Sequence, residues 1–396
     1  MSTARKRGRG YEIRVFLGLD IHARRMEKSK TWVPEPGMTE KQIEKELERQ
    51  KVLFEEQIKQ GISPDTSIRF KDFADRWLAE YAKDHLAPKT FSRYVDYLKR
   101  INEGIGHIRL KDLTPFHFNA FYKNLAEDGI SKRMVKLPNG KLVNGKLSPK
   151  TVHEHHVVIS KILNTAVKWA VLDKNVALQA DPPKVPYREI NYLDETETRR
   201  MIFLLNNEPI QYRAMILLLL FTGMRRGELC GLEWKDIDFD TRKLKIVRSS
   251  QYLGGGQMFT KEPKTKAGIR EISLSENTCR ILQEYRLWQS RERLKLGELW
   301  KDTDRLFTQW NGIPIHPDTI TSWFSRFIKR NGFPHVTLHS LRHTNATLLI
   351  AEGTDVCTVS KRLGHANTAT TLNIYTHALR SKDEEAAQKL DEVLAI

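Results

Sequence analysis

The sequence predicts a multidomain chain, mainly α-helical with small β-sheets, whose last domain is mixed α/β. Three observations lead there. The 396 residues exceed one average domain. Two stretches interrupt the hydrophobic pattern, Gly61 to Asp65 and Asp181-Pro182-Pro183 with Pro186. On either side of them apolar residues recur mostly at helical spacing, while strand-like alternation is confined to short runs. The expected domains are residues 1–62, 66–180 and 187–396.

The first domain reads as a small sheet with one helix. A basic arm carrying Arg5, Lys6, Arg7 and Arg9 precedes Tyr11-Glu12-Ile13-Arg14-Val15-Phe16, which alternates as a strand does. Arg24, Arg25, Lys28 and Lys30 then lead into Thr31-Trp32-Val33. Past Pro34 and Pro36, Thr39 is placed to cap a helix reaching Ile58, with Gly61 as its stop.

Helices dominate the second domain. Phe70, Phe73, Trp77, Leu78 and Tyr81 share one face. Pro88, Pro115 and Pro149 each stand where a first helical residue tolerates proline, ahead of apolar residues at helical spacing. Lys132 to Lys146 is basic, contains Asn139-Gly140 and Asn144-Gly145, and reads as a hairpin between the last two helices. Such a basic helical unit suits a DNA clamp, and equally a bundle that merely has a basic surface.

In the third domain Asp194 with Glu197 resembles a capping box. Met215 to Phe221 reads as a buried helix, too short to cross a bilayer. Arg242 to Arg248, Gln257 to Lys261 and Arg270 to Ser273 read as three strands, with Gly254-Gly255-Gly256 turning the first into the second.

Charge narrows the partner. Lys and Arg number 66 against 49 Asp and Glu, a formal net charge of +17. Such a surplus favours a polyanion, most commonly nucleic acid, although a ribosome-associated or simply basic protein shares it. Cys230, Cys279 and Cys357 are far apart and odd in number, so no disulfide framework or CxxC zinc pattern can be built, which fits a reducing cytosol. The N-terminal basic residues lead into no apolar stretch of the signal-peptide kind, so a cytoplasmic location is expected.

Four patches of the third domain carry reactive side chains. They are Thr222-Gly223-Met224-Arg225-Arg226-Gly227-Glu228-Leu229, Pro263-Lys264-Thr265-Lys266, His339-Ser340-Leu341-Arg342, and the stretch from Leu363-Gly364-His365 to Thr370-Thr371-Leu372-Asn373-Ile374-Tyr375. Among their side chains are two separated guanidinium groups, Arg225 and Arg342, with Lys264, two imidazoles and a phenol. Phosphoryl transfer needs charge stabilisation on the equatorial oxygens, and the planar arginine fork suits that. It needs a nucleophile, which a phenol oxygen can be when a base assists, and an acid for the leaving oxygen. Each patch alone has a plainer reading: Arg225 as a solvated helix end, His339 with Arg342 as stacked helix-face residues, Tyr375 as a core tyrosine. Their ordered co-occurrence is the signal.

The order Arg, Lys, His-x-x-Arg, His, Tyr resembles the tyrosine recombinases, or phage-type integrases, over roughly residues 190 to 380. The resemblance implies that Tyr375 is the nucleophile and that Arg225, Arg342 and His365 hold the non-bridging phosphate oxygens. Glu228 becomes an acidic support, and His339 assists proton movement at the tyrosine. Lys264 becomes the hairpin lysine that protonates the leaving 5′-oxygen, with Lys261 and Lys266 as flanking alternatives. It further implies a 3′-phosphotyrosine intermediate, no need for ATP, metal or other cofactor, and a homo-tetramer joining two DNA duplexes through a Holliday junction. The helical second domain resembles the family's core-binding domain. The first is similar to the arm-type DNA-binding domains of conjugative-transposon and lambda-like integrases. An excision factor and a DNA-bending protein are the partners such integrases imply, and a bacterial, phage or mobile-element origin is expected.

Near the C-terminus Ala386, Ala387, Leu390, Val393 and Leu394 form an apolar stripe behind Ser381 and Glu384. It fits packing on its own domain or, as the resemblance suggests, an oligomerisation helix docking on a neighbour. His335, His339 and His343 at i, i+4 and i+8 invite a metal reading, but Pro334 places His335 ahead of the helix, and His153, His155 and His156 stand too close together for a tetrahedral site. Gly254-Gly255-Gly256 lacks the Gly-Lys-Ser/Thr of a P-loop. A non-catalytic DNA-binding regulator and a type IB topoisomerase are the rival functions. The first has no use for this polar set, and the separate first domain argues against the second. Target sequences, crossover length and host element are not legible in the residues.

Overall fold

The computed structural model describes residues 2–19, 24–59, 68–131, 134–136, 142–186, 191–252, 258–263, 266–365, 367–368 and 371–372. The chain divides into two compact units, Met1–Tyr187 and Arg188–Ile396. The break expected at Gly61 to Asp65 lies outside the described residues.

The first unit opens with an antiparallel sheet of β1 (Ser2–Arg7), β2 (Gly10–Leu19) and β3 (Arg25–Trp32), in that spatial order. The sequence set Arg5, Lys6 and Arg7 in an arm ahead of the sheet; instead they form its first strand, Arg7 pairing with Gly10 across a two-residue turn. Gly8 sits in that turn at φ +58°, a conformation that costs a residue without Cβ nothing. Alternation along β2 turns Ile13 and Val15 inward onto Phe54 of α1 (Glu40–Lys59). As expected, Thr39 stands before that helix, its backbone N–H donating to the Gln42 side chain at 2.8 Å.

The rest of the unit is helical. α2 (Phe70–Trp77) runs through one π-turn into α3 (Lys83–His85), followed by α4 (Pro88–Ile105), α5 (Pro115–Leu125) and α6 (Pro149–Lys168). Each of the three prolines takes the first turn of its helix, where the missing N–H leaves no bond unmade. Phe70, Phe73, Trp77, Ile101, Phe118 and Ile159 make a dry core. Trp77 keeps its indole N–H satisfied inside it by donating to Thr165 Oγ1 at 3.0 Å. The basic hairpin exists as β4 (Met134–Lys136) paired antiparallel with β5 (Leu142–Asn144), and its Asn139-Gly140 turn lies outside the described residues.

The second unit holds α7 (Glu195–Leu205), α8 (Ile210–Thr222), α9 (Arg226–Leu229), β6 (Ile237–Asp238), β7 (Lys243–Ile246), β8 (Ser249–Tyr252), β9 (Met258–Lys261), β10 (Arg270–Ser273), α10 (Glu276–Leu296), α11 (Pro317–Arg330), α12 (Leu338–Ala351) and α13 (Val356–Leu363). The Asp194 and Glu197 capping box forms as expected. From Ala214 to Leu220 every side chain of α8 is buried, so this helix is the hub on which the others pack. Among the described residues no helix is long and apolar enough to cross a membrane.

Strand pairing departs from the expectation. The strand suggested from Arg242 to Arg248 forms as β7 and ends at Ile246, and it is a further strand beyond those bounds, β8, that leads towards β9. β7 joins β6 and β10 in one sheet, and β8 pairs with β9 in a separate hairpin. Burial explains the split. Leu244 and Ile246 of β7 face the core, Leu244 opposite Ile272 of β10, whereas β8 carries Ser250 against Thr260, their hydroxyls 2.8 Å apart.

Candidate active site

The site is built around the exit of α8. Thr222 turns its hydroxyl back onto the Leu218 carbonyl, and Gly223 ends the helix in the left-handed region at φ +63°. A Cβ on Gly223 would stand 2.5 Å from Leu363 Cδ2 and 2.8 Å from Asn345 Oδ1, so α12 and α13 both close on this turn. Arg225 follows in extended conformation ahead of α9. Its backbone N–H donates to Glu228 Oε2 and its Nη1 to Glu228 Oε1, both at 2.9 Å. Glu228 is buried, while the Arg225 side chain stays 43% exposed and able to meet a ligand.

Arg342 approaches the same turn from α12. It is 2% exposed and donates from Nη1 to the Gly223 carbonyl at 2.8 Å. Asn345, one turn on, donates to the carbonyls of Leu220 and Phe221, pinning α12 to the end of α8. His339 precedes Arg342 by three positions and therefore shares its helix face. Its edge reaches solvent, yet desolvation, then the charges of Arg342 and Arg225, hold its pKa below the ordinary imidazole value. The ring of His343 stands edge-on to His339, centroids 4.7 Å apart, and burial with the charges of His339, Arg342 and His365 pushes its pKa down to about 4.

His365 arrives from the end of α13. Gly364 caps that helix at φ +71°, and the His365 backbone N–H donates to the Ser360 carbonyl. The imidazole Nδ1 lies 2.7 Å from the hydroxyl of the buried Thr371. Burial first, then the charges of Arg342, Arg225, Arg270 and His339, lower its pKa to about 4. Arg225 Nη2 also reaches the Gly364 carbonyl at 3.4 Å, across 139 residues of sequence. Arg225, His339, Arg342 and His365 therefore gather in one place, from three separate elements. Lys264, Tyr375 and the apolar stripe from Ala386 to Leu394 lie outside the described residues.

Electrostatically this is a cluster of three permanent cations, Arg225, Arg342 and Arg270, and imidazoles held neutral at pH 7. Glu228 is the carboxylate bonded into it. Burial works to raise its pKa, but the hydrogen bond and charge of Arg270, then the backbone bond and charge of Arg225, outweigh that and leave it lowered, hence ionised. A site with surplus fixed positive charge and neutral N–H donors suits a phosphate diester. α12 starts at Leu338, so His335 stands ahead of the helix, and no group of three or more metal-binding side chains occurs among the described residues.

Several participants carried no signal in the sequence. Arg270 reads there as an ordinary strand residue, yet its side chain is 6% exposed and bonded to Glu228 at 2.8 Å. His343 gains its part where α12 meets the end of α13, since the charge of His365 contributes to its lowered pKa after burial, His339 and Arg342, and Thr371 meets His365 six residues along the same segment.

A model of the phage integrase family matches residues 191–382, and one of the phage integrase N-terminal SAM-like domain matches residues 69–126. The chain belongs to the phage integrase family. Its enzyme class is that of the tyrosine recombinases, which are DNA strand transferases. A tyrosine recombinase XerC-like protein of Caldanaerobacter subterraneus subsp. tengcongensis is 26% identical, over 97% of this chain and 96% of its own length. The ICEBs1 integrase of Bacillus subtilis is 29% identical, over 64% of this chain and 68% of its own. Among solved structures, the Tn1549 transposon integrase in complex with transposon right end DNA superimposes with a TM-score of 0.63. That comparison covers 82% of this integrase and 99% of the other chain at 22% identity, and is a likeness of fold.

Proposed function

We propose that this integrase inserts and excises a mobile DNA element by site-specific recombination, with double-stranded DNA at the element ends and target as its substrate. The observation that carries the reading is the gathering of Arg225, Arg342, His339 and His365 at the exit of α8. Tyr375 Oη attacks the scissile phosphorus and loses its proton with the help of His339. The bond from phosphorus to the 5′-oxygen breaks, and that oxygen takes a proton from the Lys264 ammonium. A 3′-phosphotyrosine link remains, and the 5′-hydroxyl of a partner duplex attacks it to release Tyr375.

The roles follow from chemistry. Arg225 and Arg342 meet the non-bridging oxygens as charge builds on them, where a preorganised fork costs no rearrangement. With Nδ1 engaged by Thr371, His365 has Nε2 left to donate to the same phosphate. Glu228 keeps the Arg225 guanidinium in one orientation. Since the phosphodiester bond energy is kept in the covalent intermediate, the cycle runs without ATP.

The domain scheme belongs to the same reading: residues 1–62 as an arm-type DNA-binding domain, 66–180 as a core-binding domain, and 187–396 as the catalytic domain with a C-terminal oligomerisation helix. Four copies act on two duplexes, with an excision factor and a DNA-bending protein setting direction, in the cytoplasm of a bacterial host. The test is a suicide duplex whose cleavage traps the protein on DNA. A covalent adduct with the chain, lost in Tyr375→Phe while DNA affinity is kept, is the expected result. Cleavage retained by Tyr375→Phe refutes the nucleophile assignment, and an adduct that never joins a second defined site points to a topoisomerase.

A further inference from the structure

We propose that Arg270 is a positioning residue that holds three catalytic segments in register: the Arg225 turn, the loop bearing Lys264, and the chain leading to His365. The inference rests on the site reading above and adds to it a residue outside the motifs. Arg270 opens β10, where its backbone pairs with Ile246. Its guanidinium spends three donors on three places. Nη2 donates to Glu228 Oε2 at 2.8 Å, Nε to the Arg362 carbonyl at 2.7 Å, and Nη1 to the Gly268 carbonyl at 3.2 Å.

Each contact bears on a different reacting group. Glu228 is the carboxylate that orients Arg225, and Arg270 supplies its second cation. The Arg362 carbonyl lies in the last turn of α13, three residues before His365. Gly364 shows how close the approach is: a Cβ there would stand 2.8 Å from Arg270 Nη1 and 2.9 Å from the Ala267 carbonyl. Gly268 packs flat on Pro263, where an added Cβ would fall 2.4 Å from Pro263 Cβ, and Pro263 directly precedes Lys264. Holding the Gly268 carbonyl therefore steadies Pro263, the residue next to Lys264 in sequence.

Only a guanidinium can serve all three. Its donors lie in one rigid plane and point in fixed directions, whereas an ammonium is a point charge on a flexible stem. Burial makes the arrangement strict, because the Arg270 and Glu228 side chains, 6% and 4% exposed, have little water with which to exchange partners.

The test uses the full chain and a suicide duplex in two forms, one with the ordinary bridging 5′-oxygen at the scissile phosphate and one with sulfur in its place. Sulfur departs as a thiolate and needs no proton, so it bypasses the acid. Wild type and Lys264→Ala check the underlying reading: wild type forms the adduct, and sulfur restores Lys264→Ala. No adduct in wild type, or no gain from sulfur in Lys264→Ala, overturns that reading and with it the inference.

With those two arms as expected, Arg270→Gln decides the role of Arg270. Misplacement of the acid together with His365 lowers cleavage of the oxygen substrate about 100-fold and of the sulfur substrate only about 10-fold. DNA affinity stays within about threefold, since Arg270 is buried away from the duplex. Equal losses on both substrates, or no loss, overturn the inference while leaving the catalytic reading intact. Should Arg270→Gln fail to fold, Arg270→Lys carries the same comparison: a smaller loss with the same preference for sulfur supports it, and equal losses overturn it.

Discussion

Arg342 and Gly223 are 119 residues apart in sequence, and the guanidinium of the first donates to the carbonyl of the second at 2.8 Å. The bond ties a buried cation on α12 to the turn that launches Arg225. The two arginines are thereby held in a fixed relation before any substrate arrives, as electrostatic preorganisation requires.

That turn tolerates little change. Gly223 has φ +63°, and a methyl group there would press on Leu363 and Asn345. Gly223→Ala is expected to cost about 2 kcal/mol or more, the backbone penalty adding to the clash. Urea unfolding measures it. A loss below about 0.5 kcal/mol, within the range of neutral surface changes, would show that α13 can move aside.

Glu228→Gln removes one charge from a buried arrangement that holds two arginines. Breaking the buried pair with Arg270 typically costs on the order of 3 kcal/mol, because that guanidinium stays buried and uncompensated. Lower stability should be accompanied by slower adduct formation even under conditions where the variant is fully folded. Unchanged cleavage by folded Glu228→Gln would remove Glu228 from the positioning of Arg225.

For Arg342→Lys we expect cleavage to fall by about 10² to 10³, the scale of losing a donor aimed at developing charge. Lysine cannot reproduce the fork, although it preserves the charge. Rates of adduct formation at saturating DNA give the answer, and a loss appearing only as weaker binding would contradict a role in the transition state.

The imidazoles set a pH dependence whose sign can be worked out. His343 and His365 fall to about 4 in the folded chain, from an ordinary value of 6.5. The unfolded chain therefore binds more protons than the folded one between these values. Stability from these groups is complete above pH 6.5 and declines as pH falls towards 4. Denaturation midpoints measured between pH 7.5 and 4.5 should drop, and His343→Gln should flatten the drop. A slope unaltered in His343→Gln would mean that other groups dominate.

Binding of a phosphate reverses part of that shift. Burial depresses His365 most, but Arg342 and Arg225 come next and are the charges a phosphate would neutralise, so its pKa should rise on DNA. Nuclear magnetic resonance of the labelled imidazole in Tyr375→Phe, free and DNA-bound, reads it directly. A value unmoved by DNA would place the scissile phosphate away from His365.

What the residues alone determined is local. Pro88, Pro115 and Pro149 mark helix starts because a proline lacks only an N–H that the first turn does not use. Asp194 and Glu197 announce a cap within four residues, and the unbroken apolar run in α8 announces a buried helix. The spaced boxes around Arg225, His339 and His365 were visible for a similar reason, each being a short pattern complete in itself.

Tertiary structure decided whatever depends on which distant segments meet. β7 chooses β10 over β9 because its inward face is apolar and must be covered, a choice that no turn residue at Gly254-Gly255-Gly256 encodes. Arg270 becomes the partner of Glu228, and Arg225 reaches the Gly364 carbonyl, only when the chain ends of α9, β10 and α13 are packed together. Capping and periodicity act over a few residues and leave a local trace. Burial and charge pairing act through space, and their partners exist only once the chain has closed.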